Sequence, residues 1–325
     1  MKKIILSLLI ASIMLLFGCG KESVENSISQ NNYNPFSNYE KESNEQVDAM
    51  FGYGLVDPAV DGKIKYNKDM SLDFWIENAG NDNDFGFMIY IDGVRQDISV
   101  DGSEISDVYT IDVPSGERKT FNVKFEPNAT KYSDTLSLDF VLMFDPDYMP
   151  DSPTAIFGNR QNINSINLTM IDVAKDIKHS GDSISVKSEN ISNDIKQEYI
   201  EYDESGNISG NSLEESTFFT ALKSNKKLDD NTPNAVSTAD DLEIRLLGGK
   251  EGSWRISLYI DNKMVPAFNG NYYADMKASS NEMSSYIVDL SEYKIEDTEF
   301  GSIYCIAVPL EEGYPIKTNS MVFIG

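Results

Sequence analysis

The chain has 325 residues, with 27 Lys and Arg against 53 Asp and Glu, which gives a formal net charge of −26 at pH 7. So acidic a surface offers no positive face to displace counterions from phosphate, which argues against nucleic acid as a partner, and it repels anionic lipid head groups. The single histidine excludes a multi-histidine metal centre.

The first residues have the three parts of an export signal. Lys2 and Lys3 precede a mostly apolar run over residues 4–17, and the small residue Gly18 stands directly before Cys19. The run is shorter than the about 20 apolar residues that span a bilayer. Residues 1–18 are therefore predicted to be a signal peptide, which leaves material for roughly two domains.

The end of this signal, Leu16-Phe17-Gly18-Cys19, resembles the lipobox of bacterial lipoproteins. Leu stands three positions before the cysteine and Gly directly before it, whereas Phe17 departs from the small or Ser/Thr-like residue that is more common there. The resemblance implies that lipoprotein signal peptidase reads Leu16 and Gly18, and that Cys19 carries a thioether-linked diacylglycerol. The alternatives are an ordinary secretory signal with an incidental cysteine, or an uncleaved anchor.

Residues 19–48 comprise the lipidated cysteine and a polar segment. The segment is rich in Asn, Ser and Glu and lacks apolar periodicity, which is typical of a flexible tether. The expected location is the bacterial cell membrane, with the chain lipid-anchored and facing outside the cytoplasm. Two acyl chains satisfy the two-signal requirement for stable anchoring.

Catalytic patterns are absent from the sequence. Once Cys19 is lipidated, Cys305 has no disulfide partner and is expected to be a buried thiol on a strand over 303–308. His179 lies in a polar stretch, and no pattern brings it to Cys305 as a base. The sequence contains no H-E-x-x-H, G-x-S-x-G or P-loop motif. These observations predict a protein that is not an enzyme and takes no cofactor.

The first domain is expected over residues 49–173. Within it, apolar and polar side chains alternate with the period of half-buried strands at 70–77, 85–91, 108–113, 121–125, 136–144 and 166–170. In the second of these segments Phe87, Ile89 and Ile91 would point inward, and Asp92-Gly93 after it indicates a tight hairpin turn. Short strands at this spacing are typical of a β-sandwich.

The second domain is expected over residues 213–325, after a polar linker at 174–212. Residues 254–262 repeat the pattern of residues 85–93, so that Tyr259, Ile260 and Asp261 correspond to Tyr90, Ile91 and Asp92. We interpret this echo as two copies of one sandwich. The alternative is that strands followed by Asp-Gly or Asp-Asn turns recur by chance in β proteins.

Both domains resemble immunoglobulin-like modules of bacterial surface proteins, in the broad sense that includes fibronectin type III. The resemblance lies in the strand pattern, and the paired core cysteines of antibody domains are absent. The predicted fold class is therefore all-β, with two tandem immunoglobulin-like antiparallel β-sandwiches behind the signal peptide and tether. That fold hosts many functions and dictates none.

Two kinds of binding site are candidates. Aromatic side chains that could contact a ligand lie on strand faces opposite the predicted core or in loops: Trp75, Tyr90, Tyr259, Tyr148, Tyr272 and Tyr273. An aromatic on an outer face can instead pack against a neighbouring domain. Acidic turns offer calcium candidates at Asp82, Asp84, Asp145 and Asp147. None of them fits the spacing of an EF-hand, and solvated turns are the alternative.

The predicted function is non-catalytic binding or interaction through the tandem domains of an extracytoplasmic lipoprotein. One alternative is a structural subunit of a cell-envelope or export assembly, and another is a carbohydrate-binding accessory lipoprotein. The expected partners are the membrane, through the N-terminal lipid, and an unknown protein or glycan ligand.

Overall fold

The computed structural model describes residues 50–202, 208–224, 235–295 and 298–325. The predicted signal peptide, the lipobox residues Leu16, Gly18 and Cys19, and the tether lie outside these described residues. Among the described residues, no helix is long and apolar enough to cross a membrane.

Antiparallel strands make up the first half of the described chain. They are β1 Phe51–Leu55, β2 Lys63–Lys65, β3 Met70–Asn78, β4 Asn83–Ile91, β5 Val94–Arg95, β6 Ser99–Val100, β7 Tyr109–Val113, β8 Arg118–Phe125, β9 Asn128–Ala129, β10 Thr135–Phe144 and β11 Ile163–Ile171. One sheet has the order β1-β3-β8-β6, and the other has the order β2-β11-β10-β4 with β5 and β7 also paired to β4. The first two strands thus lie in different sheets, and β2 runs parallel to β11.

The core of this first sandwich lies between its two sheets. Phe87, Ile89 and Ile91 of β4 are buried in it, as the alternation predicts, and they face Phe74 and Ile76 of β3. Because side chains on a strand alternate between faces, Met88 and Tyr90 of β4 must point to the outer face of the sheet. Both are also fully buried, so this sheet is covered on two sides.

The second half repeats the arrangement. Its elements are β12 Lys178–His179, β13 Ser183–Ser185, β14 Ser188–Asn190, α1 Asn193–Glu198, β15 Ile200–Tyr202, β16 Ile208–Asn211, α2 Ser212–Glu215, β17 Thr217–Lys223, β18 Ala235–Ser237, β19 Asp241–Gly248, β20 Gly252–Ile260, β21 Lys263–Val265, β22 Tyr273–Ala278, β23 Glu282–Asp289, β24 Phe300–Pro309, β25 Ile316–Lys317 and β26 Met321–Ile324. The sheets have the orders β14-β23-β19-β17 and β13-β22-β20-β24-β26-β18. β18 runs parallel to β26, as β2 does to β11.

The predicted all-β class is confirmed, because both halves are β-sandwiches of mainly antiparallel sheets with matching strand orders. The second core contains Ile256 and Leu258 of β20 together with Ile303 and Cys305 of β24. Cys305 is the buried strand thiol that the sequence predicts, and burial raises its pKa above the ordinary value.

Residues 174–212, which were predicted to be a polar linker, also contain strands. β12 pairs with β9 of the first sandwich, and β13 and β14 pair with β22 and β23 of the second. The segment therefore adds edge strands to both sheets of the second sandwich. Its low apolar content hid these strands, because edge strands bury little and are held by backbone hydrogen bonds.

Candidate functional site

The two sandwiches are packed against each other through the outer faces of their matching sheets. A third apolar cluster, which we call the seam, contains Met88, Tyr90, Val108, Val141 and Met143 of the first sandwich and Tyr259, Tyr304, Ile306 and Val308 of the second. The described residues of both sandwiches fall within one compact unit. Tyr90 and Tyr259 are therefore not exposed ligand contacts, because each packs against the neighbouring domain.

The centre of the seam joins corresponding residues of the repeat. The hydroxyls of Tyr90 and Tyr259 lie 2.7 Å apart in a hydrogen bond. The ring of Tyr259 stacks on Tyr304, with centroids 5.3 Å apart and planes inclined by 10°. Burial raises the pKa of Tyr90 and Tyr304 well above the ordinary value of 10.0. The phenols therefore stay protonated at neutral pH.

Polar groups at the border of the seam fix how the sandwiches meet. The Asn262 amide donates to the Pro146 carbonyl at 2.8 Å, and Ser320 Oγ donates to Gln161 Oε1 at 2.7 Å. Hydrogen bonds between buried partners impose geometry as well as contributing about 1 kcal/mol each. The apolar centre thus supplies burial, while the border selects one orientation.

Arg95 organises one edge of the seam. Its guanidinium donates to the carbonyls of Ser106 and Asp107 at 3.0 and 2.9 Å, and it pairs with Asp107 Oδ1 at 2.7 Å. Its backbone N–H donates to the Tyr273 hydroxyl at 3.1 Å, across the two sandwiches. The second carboxylate oxygen of Asp107 accepts from the Met264 N–H at 3.2 Å.

A cavity of 430 Å³ opens at this edge, between the sandwiches. The first sandwich lines it with Arg95, Asp97 and Asn128, the connecting segment with Lys178, Ser180, Gly181 and Asp182, and the second sandwich with Met264, Gly270, Asn271, Tyr272 and Tyr273. Its walls thus come from both domains and from the segment that joins them.

A second cavity of 630 Å³ continues along the first sandwich. Asp97, Asn128 and Lys178 line both cavities, so the two adjoin. We call the pair the junction groove. Its far part runs past Ser71 of β3 and Lys124 of β8.

Of the predicted aromatic ligand contacts, Tyr272 is the one that borders the junction groove with an exposed ring, since 45% of it is accessible. Tyr273 also lines the groove but is only 5% exposed, because it begins β22 and its hydroxyl is taken by Arg95. The prediction that Tyr273 lies in an exposed loop is wrong.

Trp75 lies on the outer face of the other sheet of the first sandwich and is engaged by its own chain. Its ring lies across Gly52 and Gly54 of β1, where an added Cβ would come within 3.3 and 3.2 Å of ring atoms. The Arg118 guanidinium stands 3.8 Å from the ring centroid and is also paired with the buried Glu77 at 3.4 Å. A ligand would have to displace Arg118 to stack there.

Tyr148 is also used within the chain. In the loop between β10 and β11 its ring meets Phe157 edge to face at 5.3 Å, and Arg160 stands 4.4 Å above it. The half-buried ring therefore holds the loop together.

The side chains of the calcium candidates have different partners within the chain. Asp82 accepts from the Ser115 N–H at 2.7 Å, and Asp145 pairs with Arg160 at 3.2 Å. Burial, together with the charges of Asp112 and Asp147, raises the pKa of Asp84. Within the described ranges no three acidic, His or Cys side chains are grouped to hold a metal ion.

Comparisons with known proteins add only distant likenesses. No family model and no curated protein matches the chain. Among solved structures, a CARDB domain from Pyrococcus furiosus is 14% identical, with 42% of this chain and 100% of that chain covered and a TM-score of 0.24. Fibronectin(III)-like modules of CbhA from Clostridium thermocellum are 10% identical over 84% and 93% of the two chains, with a TM-score of 0.18. A chain from the chaperone–tip adhesin complex of CFA/I fimbriae is 9% identical over 78% and 94%, with a TM-score of 0.23. No functional conclusion follows at this level of similarity.

The sequence interpretation missed most of the groove. Asp97, Lys178 and Asn271 carry no motif, since they come together only when the sandwiches pack. One signal could have located the seam: the repeat places a tyrosine on the outer face of the same strand in both copies. Apolar residues on both faces of a strand indicate that both faces are buried.

Proposed function

We propose that this protein is a membrane-anchored, extracytoplasmic lipoprotein that acts by non-catalytic binding through its fused pair of immunoglobulin-like sandwiches. The observation that carries the binding role is the junction groove, which is lined by both domains and is open to solvent. The lipobox residues ahead of the polar tether support the anchoring role. A structural subunit of an envelope or export assembly is the competing role, and isolation in a stable, stoichiometric complex would favour it.

Substitution of each of the two cysteines tests whether the protein is anchored by lipid. Cys19→Ser removes the only atom to which the diacylglycerol would attach, so the protein should leave the membrane fraction and lose labelling by a radioactive fatty acid. Each buried methylene contributes about 0.8 kcal/mol to membrane binding, so loss of two acyl chains should release the protein almost completely.

Cys305→Ala is the matched control, because Cys305 is buried in the second core and is the other cysteine of the chain. This variant should keep both its label and its place in the membrane fraction. Membrane retention of the Cys19→Ser variant, or labelling of it equal to that of the parent, would refute the lipid anchor.

A further inference from the structure

We propose that the junction groove binds a neutral, linear oligosaccharide, with Tyr272 as the ring on which one sugar stacks. This inference rests on the binding role proposed above and assigns it a site and a ligand class.

The shape of the groove fits an extended ligand. Its two parts, of 430 and 630 Å³, each fall in the range of about 300–1,000 Å³ that small-molecule sites occupy. They are joined through Asp97, Asn128 and Lys178, which line both. A ligand that follows this path is longer than it is wide, as a chain of several sugar rings is.

The floor of the groove is fixed before any ligand arrives. Gln96 and Asn128 are bonded reciprocally, since the Gln96 amide donates to the Asn128 carbonyl at 3.0 Å and Gln96 Oε1 accepts from the Asn128 N–H at 2.9 Å. Arg95 is held by Asp107 and by two carbonyls, so it serves as a support and not as a ligand contact. A preorganised floor lowers the ordering cost of binding.

The rim carries hydrogen-bonding groups of both kinds. The exposed side chains of Asp97 and Asp182 are acceptors, although Oδ1 of Asp97 already accepts from Arg95 at 3.1 Å, and the exposed ammonium of Lys178 is a donor. Carboxylates and donors interspersed in this way suit the hydroxyls of a sugar, which both donate and accept. An anionic polymer would meet these carboxylates on a chain whose net charge is −26, so the ligand class is neutral.

Tyr272 supplies the apolar surface that sugar recognition needs. It follows a turn closed by paired backbone hydrogen bonds of 3.0 Å between Phe268 and Asn271, and it precedes the anchored Tyr273. Its backbone is therefore held on both sides while its ring remains exposed. Ile105, which lines the larger cavity, is the second large exposed apolar residue of the groove. A peptide partner would be expected to use more apolar anchors than these two.

The test uses the full-length protein in detergent micelles, titrated by calorimetry with three probes: cellohexaose, maltohexaose and chitohexaose. At least one should bind the parent protein. Tyr272→Ala should weaken that binding about tenfold or more, whereas Tyr272→Phe, which keeps the ring, should stay within about twofold.

Tyr314→Ala is the control for loss of an exposed tyrosine, since Tyr314 is 66% exposed and does not line the groove. It should bind as the parent does. Binding of none of the three probes would overturn the ligand class. Binding that Tyr272→Ala leaves unchanged would overturn the site while leaving the proposed binding role intact. The Cys19→Ser fractionation judges the anchor separately.

Discussion

The two sandwiches share one type of hairpin turn and differ in the contacts made by the residues that follow it. Asp92 and Asp261 both adopt positive φ, at 46° and 47°. The Oδ1 atom of each accepts from a backbone N–H of the neighbouring strand, Ser137 at 2.8 Å and Ser302 at 2.7 Å. The turn that the repeat predicts is therefore the same turn in both copies, closed by the same bond.

The residues after these turns have diverged. Gly93 packs so closely on Arg255 that an added Cβ would lie 2.7 Å from the arginine Cβ. At the corresponding position, Asn262 reaches across the seam to the Pro146 carbonyl and accepts from the Tyr304 hydroxyl at 2.8 Å. Fusion of two copies in one chain frees each side of an interface from the self-complementarity that a symmetric dimer requires.

The edges of the sandwiches differ as well. In the first, the strand that flanks β8 is β6, which comes from within the same domain. In the second, the strand that flanks β23 is β14, which comes from the connecting segment. The connecting segment thus completes the second sandwich and, through Lys178 and Asp182, also lines the junction groove.

The largest expected effect comes from emptying the seam. Tyr259→Ala removes a fully buried ring, its stack on Tyr304 and the partner of the Tyr90 hydroxyl. We expect the free energy of unfolding to fall by about 3–5 kcal/mol in urea titrations. Tyr314→Ala, at an exposed position, should change it by less than about 0.5 kcal/mol. Equal effects of the two variants would mean that the seam contributes little to stability.

The next largest effect on stability is expected at Asp139. It lies opposite Tyr90 in the first sandwich, at the position that Tyr304 occupies opposite Tyr259 in the second. Asp139 is fully buried, and this burial raises its pKa from 3.8 to about 6. The folded state therefore binds a proton that the unfolded state releases between these values, so this carboxyl makes stability fall as pH rises from about 4 to 6. Asp139→Asn should raise stability at pH 7.5 by roughly 2–3 kcal/mol and have little effect at pH 3.5.

A surface carboxyl with the same bonding provides the control for Asp139. Asp139 accepts from the Asn167 amide at 2.8 Å, and the exposed Asp73 accepts from the Asn122 amide at 2.7 Å. Thermal unfolding at pH 7.5 should show no gain in stability for Asp73→Asn, because this exposed carboxylate stays hydrated in the folded protein. A loss of stability in Asp139→Asn at pH 7.5 would contradict the assignment of a desolvation penalty to this carboxyl.

The smallest effect concerns the diverged turn. Gly93→Asn places the second copy's residue type in the first copy, where its Cβ would collide with Arg255, and should cost about 1–3 kcal/mol. Gly102→Asn is the matched control, because Gly102 also follows an Asp and has a φ of 81° but has no atom within 4 Å of an added Cβ. If denaturation shows the two variants to be equally stable, the side chain of Arg255 can move away from residue 93 at no measurable cost.

The period of two in apolar residues was enough to predict the longer strands of the first sandwich, and the echo at residues 254–262 predicted the repeat. Phe87, Ile89 and Ile91 face the core as expected, because alternation alone decides which face of a strand is buried. The same rule placed Tyr90 and Tyr259 on the outer faces of their sheets. It could not decide whether a ligand or the neighbouring domain covers them, since a pattern within one domain does not say what lies against its outer face.

The edge strands and the groove were beyond the reach of sequence patterns. β13 and β14 are short and polar, and they are specified by backbone pairing to strands 90 or more residues away. The exposed Tyr272 and the buried Tyr273 are adjacent and identical in type. Tyr273 is held because it begins β22 and because its hydroxyl accepts from the Arg95 N–H of the other sandwich, and neither contact can be seen in the pattern of one domain.

The seam joins two copies of one sandwich into a single folding unit, and differential scanning calorimetry of the full-length protein in micelles can show this. One transition whose van't Hoff enthalpy equals the calorimetric enthalpy is expected, and Tyr259→Ala should move that transition as a whole to lower temperature. Two separate transitions in the parent protein, with Tyr259→Ala lowering only one of them, would mean that the sandwiches unfold independently.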